Sequence, residues 1–442
     1  MNHQIIFGTS VLSNRYKEVG NPVVDFPGKT LDGQSKFSIN ENIMSKHILL
    51  IGGSGCGKTN AFCYTTQALR QNMTQNDIAI IFDTKGEFYD NFAQENDYVI
   101  GNSARFRQIS HSWNLFHEIL ADGWDRTNIN MNARELAAAL FHGRGSESQP
   151  FFCNAARDIF QGMLLHFLRS AESDPQKYMG RLNNHDFIKT LEQMKVEDYI
   201  KIFESYEDLR SMLSYFGDGK SNQALGVFGE MNNMINEYFI GILAENRVGK
   251  SLSMRNAVRG RGGHAIFVEY DISVGETLTP VYRLLIDQAL KEALGRSEKA
   301  GNVYFIADEF KLLPKLQHID DALNFGRGLG VKVMAGIQSI DQLYDIYGRE
   351  KGAVIASGFG SVFAFHANDS SSREYITNRF GRNIMIYEYS DMRKNTMVGK
   401  EREGYTIEEW DQNDLGVGQA VIALGYEPPF LFQFDEYGKT VI

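Results

Sequence analysis

The residues that most restrict the fold are Ile48, Leu49, Leu50 and Ile51, four consecutive apolar positions running straight into Gly52, Gly53, Ser54, Gly55, Cys56, Gly57, Lys58 and Thr59. Such an apolar run reads as a buried strand, and the stretch 61–70 that follows reads as a helix. Joining them through Gly52-x-x-x-x-Gly57-Lys58-Thr59 needs a backbone that turns sharply with no Cβ in the way, which the glycines allow. The turn aims backbone N–H groups at one point beside a helix N-terminus, so the loop is built to wrap an anion. Lys58 adds a point charge for β- and γ-phosphates, and Thr59 a hydroxyl for Mg²⁺. Residues 52–59 are therefore expected to hold a nucleoside triphosphate, with ATP and Mg²⁺ as cofactors. Cys56 is read as a small residue tolerated inside the loop.

Charge restricts the partners. The chain of 442 residues carries 45 Lys and Arg against 55 Asp and Glu, so a nucleic-acid surface has to be a local basic patch and not the whole exterior. The three cysteines, Cys56, Cys63 and Cys153, lack paired spacing, which excludes a disulfide framework and fits a reducing cytoplasm. No window holds about 18 consecutive apolar residues, and residues 1–30 lack the charged and apolar regions of a signal peptide. The sequence as given reads as soluble.

Apolar runs recur at 48–51, 78–82, 265–270, 303–307, 331–337, 362–365 and 420–424. Near-continuous apolarity is the pattern of parallel strands buried on both faces. With helical segments at 277–294 and 319–326 between them, the expectation is an α/β fold: a RecA-like P-loop NTPase core with a mostly parallel sheet. From about 110 to 245 the strand signal gives way to helical patterns at 133–141, 151–173, 186–194, 207–216 and 223–245. The expected organisation is an N-terminal segment, 1–44, without a transmembrane helix, a nucleotide-binding domain from 45–109 and 246–442, and an inserted all-α domain, 110–245. Residues 143–150 and 218–222 read as turn-rich linkers, and Phe152, Ala155, Ile159, Met163 and Phe167 as a core-facing stripe.

The run 302–307 ends in Asp308 and Glu309. An ATPase needs one carboxylate in the Mg²⁺ shell, here Asp308, and another to orient and deprotonate the attacking water, here Glu309. Arg327 lies between Gly326 and Gly328 just before the run 331–337, and Gln338 just after it. Spacing alone fits an arginine finger and a γ-phosphate sensor as well as it fits a surface salt bridge and a turn amide. Asp83, Lys85 and Glu87 end the second strand, which suits a nucleotide or DNA role and a local loop cap equally.

Several runs resemble the type IV coupling proteins, the TraG/TraD-like DNA translocases of conjugation. They are Tyr304–Leu316, Asn324–Val331, Gly336–Leu343, the segment Ile81 to Glu87 around Asp83-Thr84-Lys85-Gly86, and Trp113-Asn114-Leu115. The family usually has proline where Thr84 and Leu115 stand; neither change removes a functional group. The likeness covers roughly residues 45–430. It implies Lys58 and Thr59 for the nucleotide, Asp308 and Glu309 for Mg²⁺ and hydrolysis, Arg327 as a finger supplied to a neighbouring subunit, and Gln338 as sensor. It further implies a homo-hexameric ring, inactive when monomeric, that pumps single-stranded DNA with its relaxase, as part of the relaxosome, toward a type IV secretion channel. The α domain would face the cytoplasm and receive the relaxosome. Family members usually carry an N-terminal transmembrane pair. This chain begins without one, so attachment at the cytoplasmic face of the inner membrane is expected through partners or a missing anchor.

Other readings are a duplex-DNA motor of the FtsK or HerA type and a nucleotide-gated docking module for protein substrates; a P-loop kinase is disfavoured because no acceptor pocket is legible. Gly249-Lys250-Ser251 imitates a second phosphate loop but follows no apolar strand. Lys250, Arg255, Arg259 and Arg261 form the best candidate DNA-contacting cluster, with a second concentration at Arg373, Arg379, Arg382, Arg393, Lys394, Lys400 and Arg402, although a solvated loop fits any single arginine somewhat better. The ten histidines show no ligand spacing.

Overall fold

The computed structural model describes residues 2–8, 12–144, 150–216, 222–273, 275–295, 301–391, 396–425 and 427–438. The two expected linkers fall largely outside them, as do Arg393 and Lys394. The strands are β1 (Asn2–Gly8), β2 (Pro22–Thr30), β3 (Lys36–Asn40), β4 (Ile48–Ile51), β5 (Ile78–Asp83), β6 (Tyr98–Gly101), β7 (Ser112–Trp113), β8 (Ser251–Leu252), β9 (Ala265–Glu269), β10 (Val303–Ala307), β11 (Val331–Ile337), β12 (Ser361–Phe365), β13 (Arg382–Asp391), β14 (Thr396–Tyr405), β15 (Gln419–Leu424) and β16 (Phe430–Phe434). The chain divides into two compact units, one of residues 1–95, 262–265 and 293–442, the other of residues 96–261 and 266–292.

In the first unit the sheet runs β3-β2-β16-β15-β12-β4-β11-β10-β5. β12, β4, β11, β10 and β5 are parallel, and every residue of each is buried. This is why they read as unbroken apolar runs. On the β12 side the pairing turns antiparallel, and β16 alternates buried and half-buried positions. Phe26 and Phe37 stack there at 4.6 Å, against Phe363, Phe432 and Phe434. β1, β13 and β14 make a separate antiparallel sheet.

The second unit carries the parallel pair β6–β9 and five longer helices: Arg126–Leu140, Pro150–Ser173, Asn184–Gln193, Asn222–Tyr238 and Gly275–Leu294. In the predicted stripe, Ala155, Ile159, Met163 and Phe167 are buried, and Phe116, Phe160, Phe167 and Phe187 pack ring against ring. Two details depart from the sequence pattern. Residues 207–215 form a 3-10 helix, and the stretch expected to be helical contains β7, which pairs in parallel with β8. Two residues carry no period, so such a bridge leaves no sequence signal. Among the described residues no helix is long and apolar enough to cross a membrane.

His47 ties the first unit's central strands together. It is 1% exposed, adopts φ 60°, and its Nδ1 accepts the Val333 N–H at 3.0 Å. Burial lowers its pKa from 6.5 to about 4, with the charge of Arg327 acting the same way. The unfolded chain therefore binds this proton more readily. The contribution of His47 to stability is complete well above pH 6.5 and falls, by up to about 3 kcal/mol, as pH drops from 6.5 toward 4. Asparagine tolerates the left-handed backbone. His47→Asn is expected to lower stability at neutral pH yet flatten its decline, read as urea midpoints from pH 7.5 to 4.5; parallel declines in parent and variant would contradict this.

Candidate nucleotide site

In open parallel sheets ligands collect at the carboxyl ends of the strands. At that edge β4 leads into the glycine loop, β10 into Asp308 and Glu309, β11 into Gln338, β12 into His366, and β5 ends at Asp83. The loop is pinned from both sides: the Gly52 N–H donates to Ile337 O at 3.2 Å and the Gly53 N–H to His366 O at 2.8 Å. Gly55 and Gly57 have φ of 74° and 107°, the left-handed region that side chains resist. At Gly57 a Cβ would also meet the Gly418 backbone at 3.0 Å.

The helix Lys58–Asn72 begins at Gly57 with no side-chain cap, so its first N–H groups remain for an anion. Lys58 is 6% exposed and curls back over the loop, its Nζ donating to Gly52 O at 2.6 Å and Gly53 O at 3.1 Å. An ammonium already folded into a cradle of backbone donors fits a polyphosphate. Thr59 Oγ1 donates to Asp308 Oδ2 at 2.6 Å. Burial raises the Asp308 carboxyl, opposed by that hydrogen bond and by the Lys58 charge. One hydroxyl and one carboxylate beside a phosphate cradle suit Mg²⁺, which completes its shell with water and phosphate oxygens.

Gln338 Nε2 donates to Glu309 Oε1 and Oε2 at 3.2 and 3.3 Å, while the Gln338 N–H donates to Gln342 Oε1 at 3.0 Å. Lys58, Thr59 and Asp308 are thus brought together, and Glu309 and Gln338 are joined to each other at the same edge. Arg327 is not among them. It precedes β11, whereas Gln338 follows it, so a whole strand, about 20 Å, separates the two ends. Its exposed guanidinium donates to Asn42 Oδ1 at 3.1 Å.

Asp83 is a local cap: its oxygens accept the Lys85 and Phe88 N–H groups at 2.9 and 2.8 Å. Lys85 stays close enough for its charge to be felt at Asp308. The candidate DNA-contacting arginines in the second unit are engaged internally, which corrects that reading of the sequence. Arg255 pairs with Asp122 at 2.8 Å and Glu292 at 3.2 Å, and Arg259 with the same two carboxylates at 2.6 and 2.7 Å. Although desolvation acts upward, hydrogen bonds from Asn132, Arg259 and Arg255 hold the Asp122 carboxyl well below its usual range. Arg261 is buried.

The C-terminal residues around this site were not foreseen. The Gly418 N–H donates to Cys56 O at 2.9 Å, and Asn60 joins Asp435 O and the Tyr437 N–H, each at 2.5 Å. The Tyr437 ring lies 5.2 Å from that of Tyr64. Asn60 next to the phosphate-loop threonine was the one available sequence signal.

Residues 34–413 match the family described as the type IV secretion-system coupling protein DNA-binding domain. The chain belongs to the type IV secretion-system coupling proteins. Among curated members of the family, it is 22% identical to coupling protein TraD of Escherichia coli K12 over 82% of this chain and 48% of TraD. It is 23% identical to protein VirD4 of Agrobacterium fabrum over 83% of this chain and 54% of VirD4. The chain thus spans about half the length of the curated relatives it matches. The plasmid coupling protein TrwB in complex with ADP and Mg²⁺ superposes with a TM-score of 0.70 at 17% identity, covering 99% of this chain and 95% of that one. The likeness establishes the RecA-like fold of this coupling protein.

Proposed function

We propose that this coupling protein is the motor of an ATP-driven DNA translocase, which passes a relaxase-bound single strand into a type IV secretion channel. The supporting observation is that the candidate residues lie at two opposite edges of one sheet. Phosphate cradle, Asp308, Glu309 and Gln338 share the carboxyl edge, and Arg327 stands at the other; read as a finger, Arg327 serves the pocket of a second copy. Head-to-tail contacts of that kind close into rings, and a homo-hexamer is the assembly proposed, with an isolated chain inactive. The first unit, residues 1–95, 262–265 and 293–442, serves as the nucleotide module, and residues 110–245 of the second receive the relaxosome at the cytoplasmic face of the inner membrane.

Backbone N–H groups of 52–59 and Lys58 hold the ATP phosphates, Lys58 exchanging the Gly52 and Gly53 carbonyls for phosphate oxygens. Thr59 and Asp308 would hold Mg²⁺, which would offset charge on the phosphoryl oxygens. Glu309 orients the attacking water and takes its proton. Before that, the Gln338 amide occupies both Glu309 oxygens. In this reading Gln338 turns from Glu309 toward the γ-phosphate when ATP binds, and so acts as the sensor.

The test is ATP hydrolysis by assembled protein with no DNA, single-stranded DNA or duplex DNA. Stimulation by the single strand above the duplex is expected. Stimulation by duplex alone would make the protein a duplex motor, and indifference to both would make it a docking module.

A further inference from the structure

In the first unit a cavity of about 370 Å³ lies between the helices Asp341–Tyr347 and Ser370–Phe380. It is lined by two guanidinium groups, Arg349 and Arg379, and two phenol rings, Tyr344 and Tyr375. The Tyr375 Oη is shut off from solvent and has no hydrogen-bond partner. A hydroxyl so placed lacks something to bond to. Asp341 and Glu374 also line the cavity, yet among the described residues neither comes within ion-pair distance of either arginine. Arg379 donates one nitrogen to Phe359 O at 2.6 Å; Arg349 is exposed and lies 5.9 Å over the Tyr344 ring.

Two guanidinium groups without a carboxylate partner among the described residues, an aromatic platform and an orphan hydroxyl describe a ligand with an anionic group, a flat ring and a polar edge. The geometry points to this cavity as a site for one unstacked nucleotide of a single-stranded nucleic acid, its phosphate at Arg349 and Arg379 and its base against Tyr344. The carboxylates can accept an N–H on a base edge, the thymine N3–H included. Duplex DNA keeps its bases stacked and cannot offer one to a cavity between two helices, which selects the single strand.

Both walls of the cavity are tied to the stretch that carries Gln338. From the first helix, Gln342 Oε1 accepts the Gln338 N–H at 3.0 Å; from the second, Ser372 Oγ accepts the Ile340 N–H at 2.9 Å. A strand entering between the helices therefore acts on the backbone whose side chain holds Glu309. This rests on the reading of the protein as a single-strand motor and adds where the strand is felt and how hydrolysis answers to it.

The experiment measures anisotropy of a labelled oligo(dT) on full-length protein with a non-hydrolysable ATP analogue, across a salt series. Arg349→Glu is expected to weaken binding about tenfold and to make the plot of log affinity against log salt shallower by about one. Tyr344→Ala should weaken binding about fivefold or more with the slope unchanged, and Arg349→Lys should retain the slope. Gln342→Ala, which touches only the link, should keep oligo(dT) affinity while DNA stimulation of hydrolysis falls about fivefold or more. Parent affinity and slope in both Arg349→Glu and Tyr344→Ala would overturn the site while leaving the motor intact. Failure of the parent to bind oligo(dT) at all would overturn both.

Discussion

Glu309→Gln, which removes the proposed acceptor of the attacking water's proton, is expected to lower kcat by about 10²–10⁴, the range in which a positioned general base contributes. The variant is nearly isosteric, and its carboxamide oxygen can still accept the Gln338 N–H of the pair seen at 3.2 and 3.3 Å. Nucleotide affinity should persist, because Lys58, Thr59 and Asp308 form their own contacts. The measurement is therefore paired: steady-state hydrolysis with single-stranded DNA, and equilibrium binding of a fluorescent ATP analogue. Lost turnover with retained binding assigns the base. Turnover at the parent rate would give the proton to another group, and joint loss of binding and turnover would mean that Glu309 supports the loop and not the chemistry.

What the sequence disclosed of this site follows from burial. β4, β5, β10, β11 and β12 are covered on both faces, so each is an apolar run whose last residue marks the carboxyl edge. The glycine loop, Asp308, Glu309 and Gln338 could be placed on that edge from order alone. β2 escaped because it contains Pro27 and Gly28, which read as turn residues, although Val24 and Phe26 are in the core. β14 escaped because Lys400, Glu401, Arg402 and Glu403 interrupt any apolar period; its register with β13 makes it a strand. Arg255 and Arg259 misled for a different reason. A run of positive charge looks the same whether it faces phosphate or carboxylate, and their partners Asp122 and Glu292 lie far away along the chain. The Gln338–Glu309 contact was illegible too, since it depends on the register of β10 against β11.

Arg327→Ala is expected to lower DNA-stimulated kcat by about 10³–10⁵, the effect of a finger that neutralises charge on the transferred phosphoryl group. A loss of that size equally fits an arginine serving its own chain, and Arg327 does contact Asn42 within the subunit. Mixing separates the two. Glu309→Gln and Arg327→Ala subunits are each inactive alone, but in an equal mixture about a quarter of head-to-tail junctions pair an intact Glu309 with an intact Arg327 from the neighbour. Activity should reappear at those junctions to a corresponding extent, and only when the subunits exchange. A mixture as inactive as its components, under conditions where exchange is verified, would place Arg327 in service of its own subunit. That outcome would conflict with the strand-length separation between Arg327 and Gln338, and the conflict makes the mixing result, more than the loss of rate, the decisive measurement of how the pocket is shared.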